Sequence, residues 1–283
     1  MRLFLFGFVA AVTSTFAFDS APLPYPDLLK QRAITNIKRS EDALERYSCT
    51  VHRQVDELNV DGRVKKREAT TLNRFYVHGI QIDHVLERNG NALSGTEARK
   101  EQERVDKEVK KYGRPEAAVK SRDESERDME MFLRAQRLTN GRREVRGGRA
   151  IAVYELTGDP AFRPKRLEER LAQALSGRIW IDEETGIPVE VRIETTRDVK
   201  IGGGLIATLH KGFHLRLLEQ RQTDGAWITQ SVEGSGDARA ALFFHPRFRF
   251  REDLENCKLF SVDSRDVLHG SGPDEHDQLR PEP

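Results

Sequence analysis

The sequence predicts an α+β protein: a large antiparallel meander with helices gathered on one face. Three observations predict it. Apolar residues alternate with polar ones at period 2 through most of the chain, in short runs separated by turn dipeptides such as Asp61-Gly62 and Asn89-Gly90. Period-3.6 patterning is confined to the start and the middle. The regular strand-helix-strand alternation of a parallel sheet is absent.

The elements follow in order. Residues 26–47 read as a helix, with Leu29, Ala33, Ile37 and Leu44 on one face and Pro24 and Pro26 limiting its start. Cys49, Val51 and Val55 then alternate with His52, Gln54 and Asp56, as in a strand with one buried face. A second strand is expected from Val64 to Val77, and Ile80, Ile82 and Leu86 mark a third. Residues 94–130 break the pattern, holding 10 basic and 11 acidic side chains. Val105, Val109 and Tyr112 give that window one narrow apolar stripe, so it is expected to be a solvated helical excursion with many i,i+4 ion pairs, or a partly disordered loop, rather than a charged partner site. Met129, Phe132 and Leu133, with Gln136 on the same face, suggest a more amphipathic helix over 129–138.

Strands resume at Val145 and at Ala152, Tyr154 and Leu156, after the turn Gly147-Gly148. A short helix is expected around Leu167, Leu171 and Leu175. The clearest sheet region runs from Arg178 to Asp182, turns through Glu183 to Gly186, and continues as Ile187, Val189, Val191 and Ile193 against Pro188, Glu190, Arg192 and Glu194. Leu209, Phe213, Leu215 and Leu217 are read as one further strand, Trp227 to Val232 as the next, and Ala238 to Arg251 as the last. In that last strand Phe248 and Phe250 alternate with arginines, the pattern of phenyl rings inward and guanidiniums outward. The total is about nine or ten strands and three or four helices.

The compartment is also legible. Arg2 precedes an apolar run from Leu3 to Val12, and Thr15 and Ala17 put small residues at a cleavage site, so residues 1–17 read as a signal peptide. The run is short of the roughly 20 residues a membrane span needs, so no anchor is expected after cleavage. Residues 18–262 are then expected to form a single domain carrying the charged segment 94–130, and residues 263–283 a polar, disordered tail. In an oxidising, periplasmic or secreted setting, Cys49 and Cys257 permit one disulfide; two separate thiols are the alternative.

Charged residues make up 33% of the chain, yet the formal net charge is only +1 and the mean hydropathy −0.65. That balance excludes a polytopic membrane protein and argues against a nucleic-acid partner, which usually needs a basic surplus. Catalytic and metal motifs do not emerge. His210 and His214, read on one strand, would sit about 13 Å apart. Ser231 to Gly236 lacks a nucleophile elbow, and Gly202 to Gly204 lacks the Lys-Ser/Thr of a phosphate loop. No cofactor, metal or catalytic residue is expected.

The segment from Gly177 to Ile193 carries Trp180, Asp182, Thr185-Gly186 and Pro188: a strand ending in Trp-x-Asp, a short turn, and a strand opening on an apolar-Pro pair. It resembles a recurring piece of the outer-membrane lipoprotein carrier (LolA-like) superfamily. The resemblance implies an incomplete barrel, a large curved antiparallel sheet with helices covering its concave face. It also implies an apolar cavity able to hold acyl chains. Ile80, Ile82, Val189, Val191, Phe213, Leu215 and Phe248 are the candidates for that cavity; the alternative is an ordinary core packed under the helices 26–47 and 129–138. The expected function is therefore a non-enzymatic periplasmic carrier or binding protein for lipid or lipoprotein acyl chains. An envelope interaction module with a filled core is the first alternative, and a hydrolase of unrecognised type the second.

Overall fold

A computed structural model describes residues 22–201, 207–240 and 246–259. The expected signal peptide, the Gly202 to Gly204 segment and the tail from 263 lie outside the described residues.

The chain opens with helix α1 (Pro26–Leu44) and the strands β1 (Tyr47–Leu58), β2 (Val64–Val77), β3 (Ile80–Arg88) and β4 (Asn91–Ala92). Helices α2 (Gly95–Tyr112) and α3 (Pro115–Ala135) follow, then β5 (Gln136–Arg146), β6 (Arg149–Gly158), the short α4 (Leu167–Gln173), β7 (Leu175–Asp182) and β8 (Pro188–Thr195). The strands β9 (Val199–Ile201), β10 (Ala207–Leu209), β11 (His214–Arg221), β12 (Trp227–Ala240) and β13 (Arg247–Leu259) complete it. Eleven strands form one path, β4-β3-β2-β1-β13-β12-β11-β8-β7-β6-β5, with β10 on β12 and β9 on β10. Every pairing is antiparallel and the path does not close on itself, so the sheet is an incomplete barrel in an α+β fold.

Two meanders meet where the first strand pairs with the last. Val51 lies opposite Leu254 and Arg53 opposite Glu252. Cys49 and Cys257 are bonded across this seam and pack with Tyr47, Leu72, Ile228 and Leu254. Their sequence separation of 208 makes the loop they close long, which in the chain-entropy model removes about 5 kcal/mol of unfolded-state freedom.

Helix α1 lies across the other half of the sheet. Leu29 is fully buried among Ala152, Tyr154, Leu156, Ile179 and Ile181. Its approach is set at the β7–β8 turn, where a Cβ on Gly186 (φ +74°) would meet Ala33 N at 2.7 Å. Arg32 donates to the Glu183 carbonyl there, and Asn36 Nδ2 to the Thr185 carbonyl at 2.6 Å. Ahead of the helix, the Tyr154 hydroxyl donates to the Pro24 carbonyl at 2.7 Å.

Several expectations need correction. Residues 94–130 are helical and largely exposed, with only Glu101 and Val105 buried in α2; beyond that expectation, α2 and α3 carry the chain from the β4 edge to the opposite edge at β5. Ser94 starts α2 with a capping box to Glu97, and Val105 and Val109 pack on Phe75, Val77 and Ile82. The helix expected over 129–138 begins earlier and ends at Ala135. Gln136 instead opens β5 opposite Gly158, its side-chain amide donating to the Ala172 carbonyl. The run from Leu209 to Leu217 is two strands, split by a turn at Gly212 (φ +87°). The last two strands also divide differently, β12 continuing to Ala240 and β13 starting at Arg247.

Candidate ligand cavity

Between α1, α3 and the sheet lies a cavity of about 610 Å³. Helix α1 contributes Leu29, Ala33 and Leu44, and α3 contributes Phe132 and Leu133. The sheet supplies Leu156, Ile179, Ile181, Val191 and Leu217, and the β7–β8 turn supplies Ile187. These side chains share one face because alternate residues of each strand point the same way: Ile179 lies opposite Val191, and Val191 opposite Leu217. The two charged lining side chains on the helices are Lys30 and Asp128.

The polar features of this lining are few. Glu219 on β11 accepts the Thr229 hydroxyl of β12 at 2.9 Å. Burial pushes its carboxyl up to about 7 against the lowering effect of that hydrogen bond. Trp227 and Gln136 also line the cavity. Trp227 is 9% exposed and Gln136 3%, yet the indole N–H and the Gln136 side-chain oxygen have no hydrogen-bond partner among the described residues. Periodicity in the sequence could not single out Glu219, because a charged residue on an inward strand position breaks the pattern that identifies the face.

The seven residues expected to form a cavity are dispersed. Val191 lines it. Ile82 is buried under α2 with Phe75 and Val105, and Ile80 is half-buried at the start of the same strand. Val189 packs with Trp180, Val153, Ile151 and Trp227. Phe213 and Phe248 stack obliquely, ring centres 6.0 Å apart, and Leu215 lies on the same sheet face between β8 and β12. Val191 alone of the seven lines this cavity, and the dispersal of the others has a physical reason. Alternation reports that a side chain is buried, while the helix that covers it depends on the tertiary path of residues 94–135.

A second, open depression of about 1020 Å³ runs across β6, β7, β8, β11, β12 and β13. It is charged, with Arg178, Arg192, Arg216, Arg249 and Arg251 among Glu155, Glu194 and Glu233. Two of these arginines also bind the buried Glu190, Arg192 at 2.6 Å and Arg216 at 3.0 Å, and Arg146 joins them at 2.7 Å. Trp180 sits with the guanidiniums of Arg146, Arg178 and Arg192 within 5.8 Å of its ring and donates to Glu144 at 3.2 Å. Trp180 is therefore a packed strut of this face.

The two histidines separate as well. His210 Nδ1 lies 3.1 Å from Asp198 in the turn after β10, and His214 Nε2 lies 2.8 Å from the Ser235 hydroxyl. A serine beside a histidine suggests a nucleophile, but β11 and β12 are each paired on both sides, so their N–H groups are committed to the ladder and none can stabilise an oxyanion. No group of three or more His, Cys, Asp or Glu among the described residues could hold a metal ion. No helix among them is long and apolar enough to cross a membrane.

No family model and no curated protein matches the chain. Among solved structures it aligns with a LolA superfamily protein from Nitrosomonas europaea, over 86% of this chain and 97% of that one. The identity is 10% and the TM-score 0.26, a likeness too weak to carry an argument about function.

Proposed function

We propose that this chain is a non-enzymatic binding protein of the cell envelope that holds an acyl chain between its helices and its sheet. The observation that carries the reading is the cavity: about 610 Å³, walled by aliphatic and aromatic side chains from α1, α3 and six strands. That volume is in the usual range for a small-molecule site. Each methylene transferred there from water gains about 0.8 kcal/mol, so a single chain of moderate length binds usefully without any charge contact. The near-zero net charge fits a ligand recognised by apolar burial rather than a captured polyanion. The hairpin from Trp180 to Pro188, which resembles the lipoprotein carrier superfamily, and the signal-like start agree with a periplasmic carrier.

Native mass spectrometry of protein purified gently from a bacterial envelope tests the reading. The expected result is a lipid adduct that survives desalting and is lost in Val191→Trp, whose indole would occupy the cavity. A wild-type protein that carries no lipid and takes up none from mixed detergent–lipid micelles would overturn it.

A further inference from the structure

We infer that the cavity selects an acyl chain bearing an uncharged carbonyl, an ester or amide, by means of the Trp227 indole N–H and the Glu219 carboxyl. This rests on the binding reading above and names the ligand's polar end.

Apart from Gln136 and Lys30 on the β5 side, the cavity has a polar pole on its β11–β12 side. There β11 and β12 bring Glu219 opposite Thr229 and Arg221 opposite Trp227, so Trp227 and Glu219 are diagonal neighbours on one sheet face. The Trp227 N–H is a donor only, is nine-tenths buried, and has no partner among the described residues. A buried donor left unsatisfied is costly, and the carbonyl oxygen of an ester or amide is an acceptor that an acyl ligand carries to it. An alkane offers no such oxygen.

Glu219 sets the charge that is tolerated beside it. It has one hydrogen bond, to a neutral hydroxyl, and no facing cation at salt-bridge distance among the described residues. The titratable groups beside it are Arg221, two residues on along the same strand, and Tyr76 of β2; of the charged side chains on the helices, Lys30 is held on the β5 side by the Gln136 carbonyl at 3.3 Å, and Asp128 belongs to α3. The Tyr76 phenol is itself pushed up to about 12, chiefly by burial and in part by Glu219. Beyond it, Arg74, Asp83, Arg53 and Glu252 neutralise one another in a closed ring of ion pairs. An ionised fatty acid would therefore set carboxylate against carboxylate in an apolar pocket, whereas an ester would not. Seating a neutral chain strips more water from Glu219 and favours its protonated form. By linkage, retention of the ester weakens as Glu219 ionises.

The test is displacement of N-phenyl-1-naphthylamine, an uncharged apolar dye, from the full chain by 1-monolauroylglycerol and by laurate at pH 6 and pH 8. Monolauroylglycerol is expected to bind at least threefold more tightly at pH 6, and at pH 8 at least tenfold more tightly than laurate. Trp227→Phe keeps the ring and removes the donor, and should cost the ester threefold or more. Glu219→Gln should abolish its pH dependence. If monolauroylglycerol binds but both variants leave its affinity and pH profile unchanged, the inference fails while the binding reading stands. If neither dye nor lipid binds the wild-type chain at either pH, both fail.

Discussion

Asp182 ends β7 with a carboxylate that is fully buried. Arg149 donates to it twice, at 2.6 and 2.7 Å, and Thr185 twice more, from its backbone N–H at 2.9 Å and its hydroxyl at 2.8 Å. Burial pushes this carboxyl up, but the hydrogen bonds from Arg149 and Thr185 outweigh it and hold the carboxyl below the usual range. The Trp-x-Asp element of the hairpin thus has a local physical purpose, in which the aspartate closes the turn that α1 rests on. Asp182→Ala would leave Arg149 with only the exposed Glu184 and would free two turn donors. It should cost about 3 kcal/mol or more in urea unfolding, as expected for breaking a buried pair. Asp182→Asn, which keeps the shape and some hydrogen bonds, should cost less; equal losses would mean that the charge on Asp182, and not its packing, secures the turn.

At the scale of elements, what was legible follows from local chemistry. The bounds of β2 and the position of the β7–β8 hairpin were readable because turn residues punctuate a period-2 pattern. The covering helices were not. Val105 and Val109 showed an apolar stripe, but nothing local says that it meets Phe75 and Ile82 on a hairpin completed before the helix begins. The same gap misassigned the cavity, since Ile82 and Val191 look alike in sequence yet lie under different helices. Val105 is a direct test of that packing. Val105→Ala should cost roughly 2 kcal/mol through the cavity it leaves. Hydrogen exchange should then show protection falling in α2 and β3 while β6 and β7 are unchanged. A uniform loss across the sheet would show instead that α2 and the sheet unfold as one unit.

For the whole molecule, a balanced charge count conceals two opposite responses to pH. Most buried carboxylates are ion-paired. Asp56, fully buried between Arg67 (2.7 Å) and Arg249 (2.6 Å), is drawn down to about 2, chiefly by the hydrogen bond from Arg67. Asp83, Asp182 and Glu190 are lowered too, their arginine partners outweighing burial. Each stabilises the fold above its unfolded pKa near 4 and ceases to as pH falls through its folded value, so stability should drop steeply from pH 4 towards 2. Glu219 runs the other way. Its folded carboxyl is raised to about 7 from 4.5, so between those values the native state holds a proton that the unfolded chain has lost. Stability must then decline as pH rises from 4.5 to 7 and level off above it. The carboxyl is only partly shielded from solvent, so the decline is on the order of 1–3 kcal/mol. Urea midpoints measured from pH 3 to 8.5 should therefore peak near pH 5. Glu219→Gln, which cannot ionise, should keep the acid limb and flatten the neutral one. A neutral limb that persists in Glu219→Gln would assign the decline to another group and would mean that water already solvates the polar pole of the cavity.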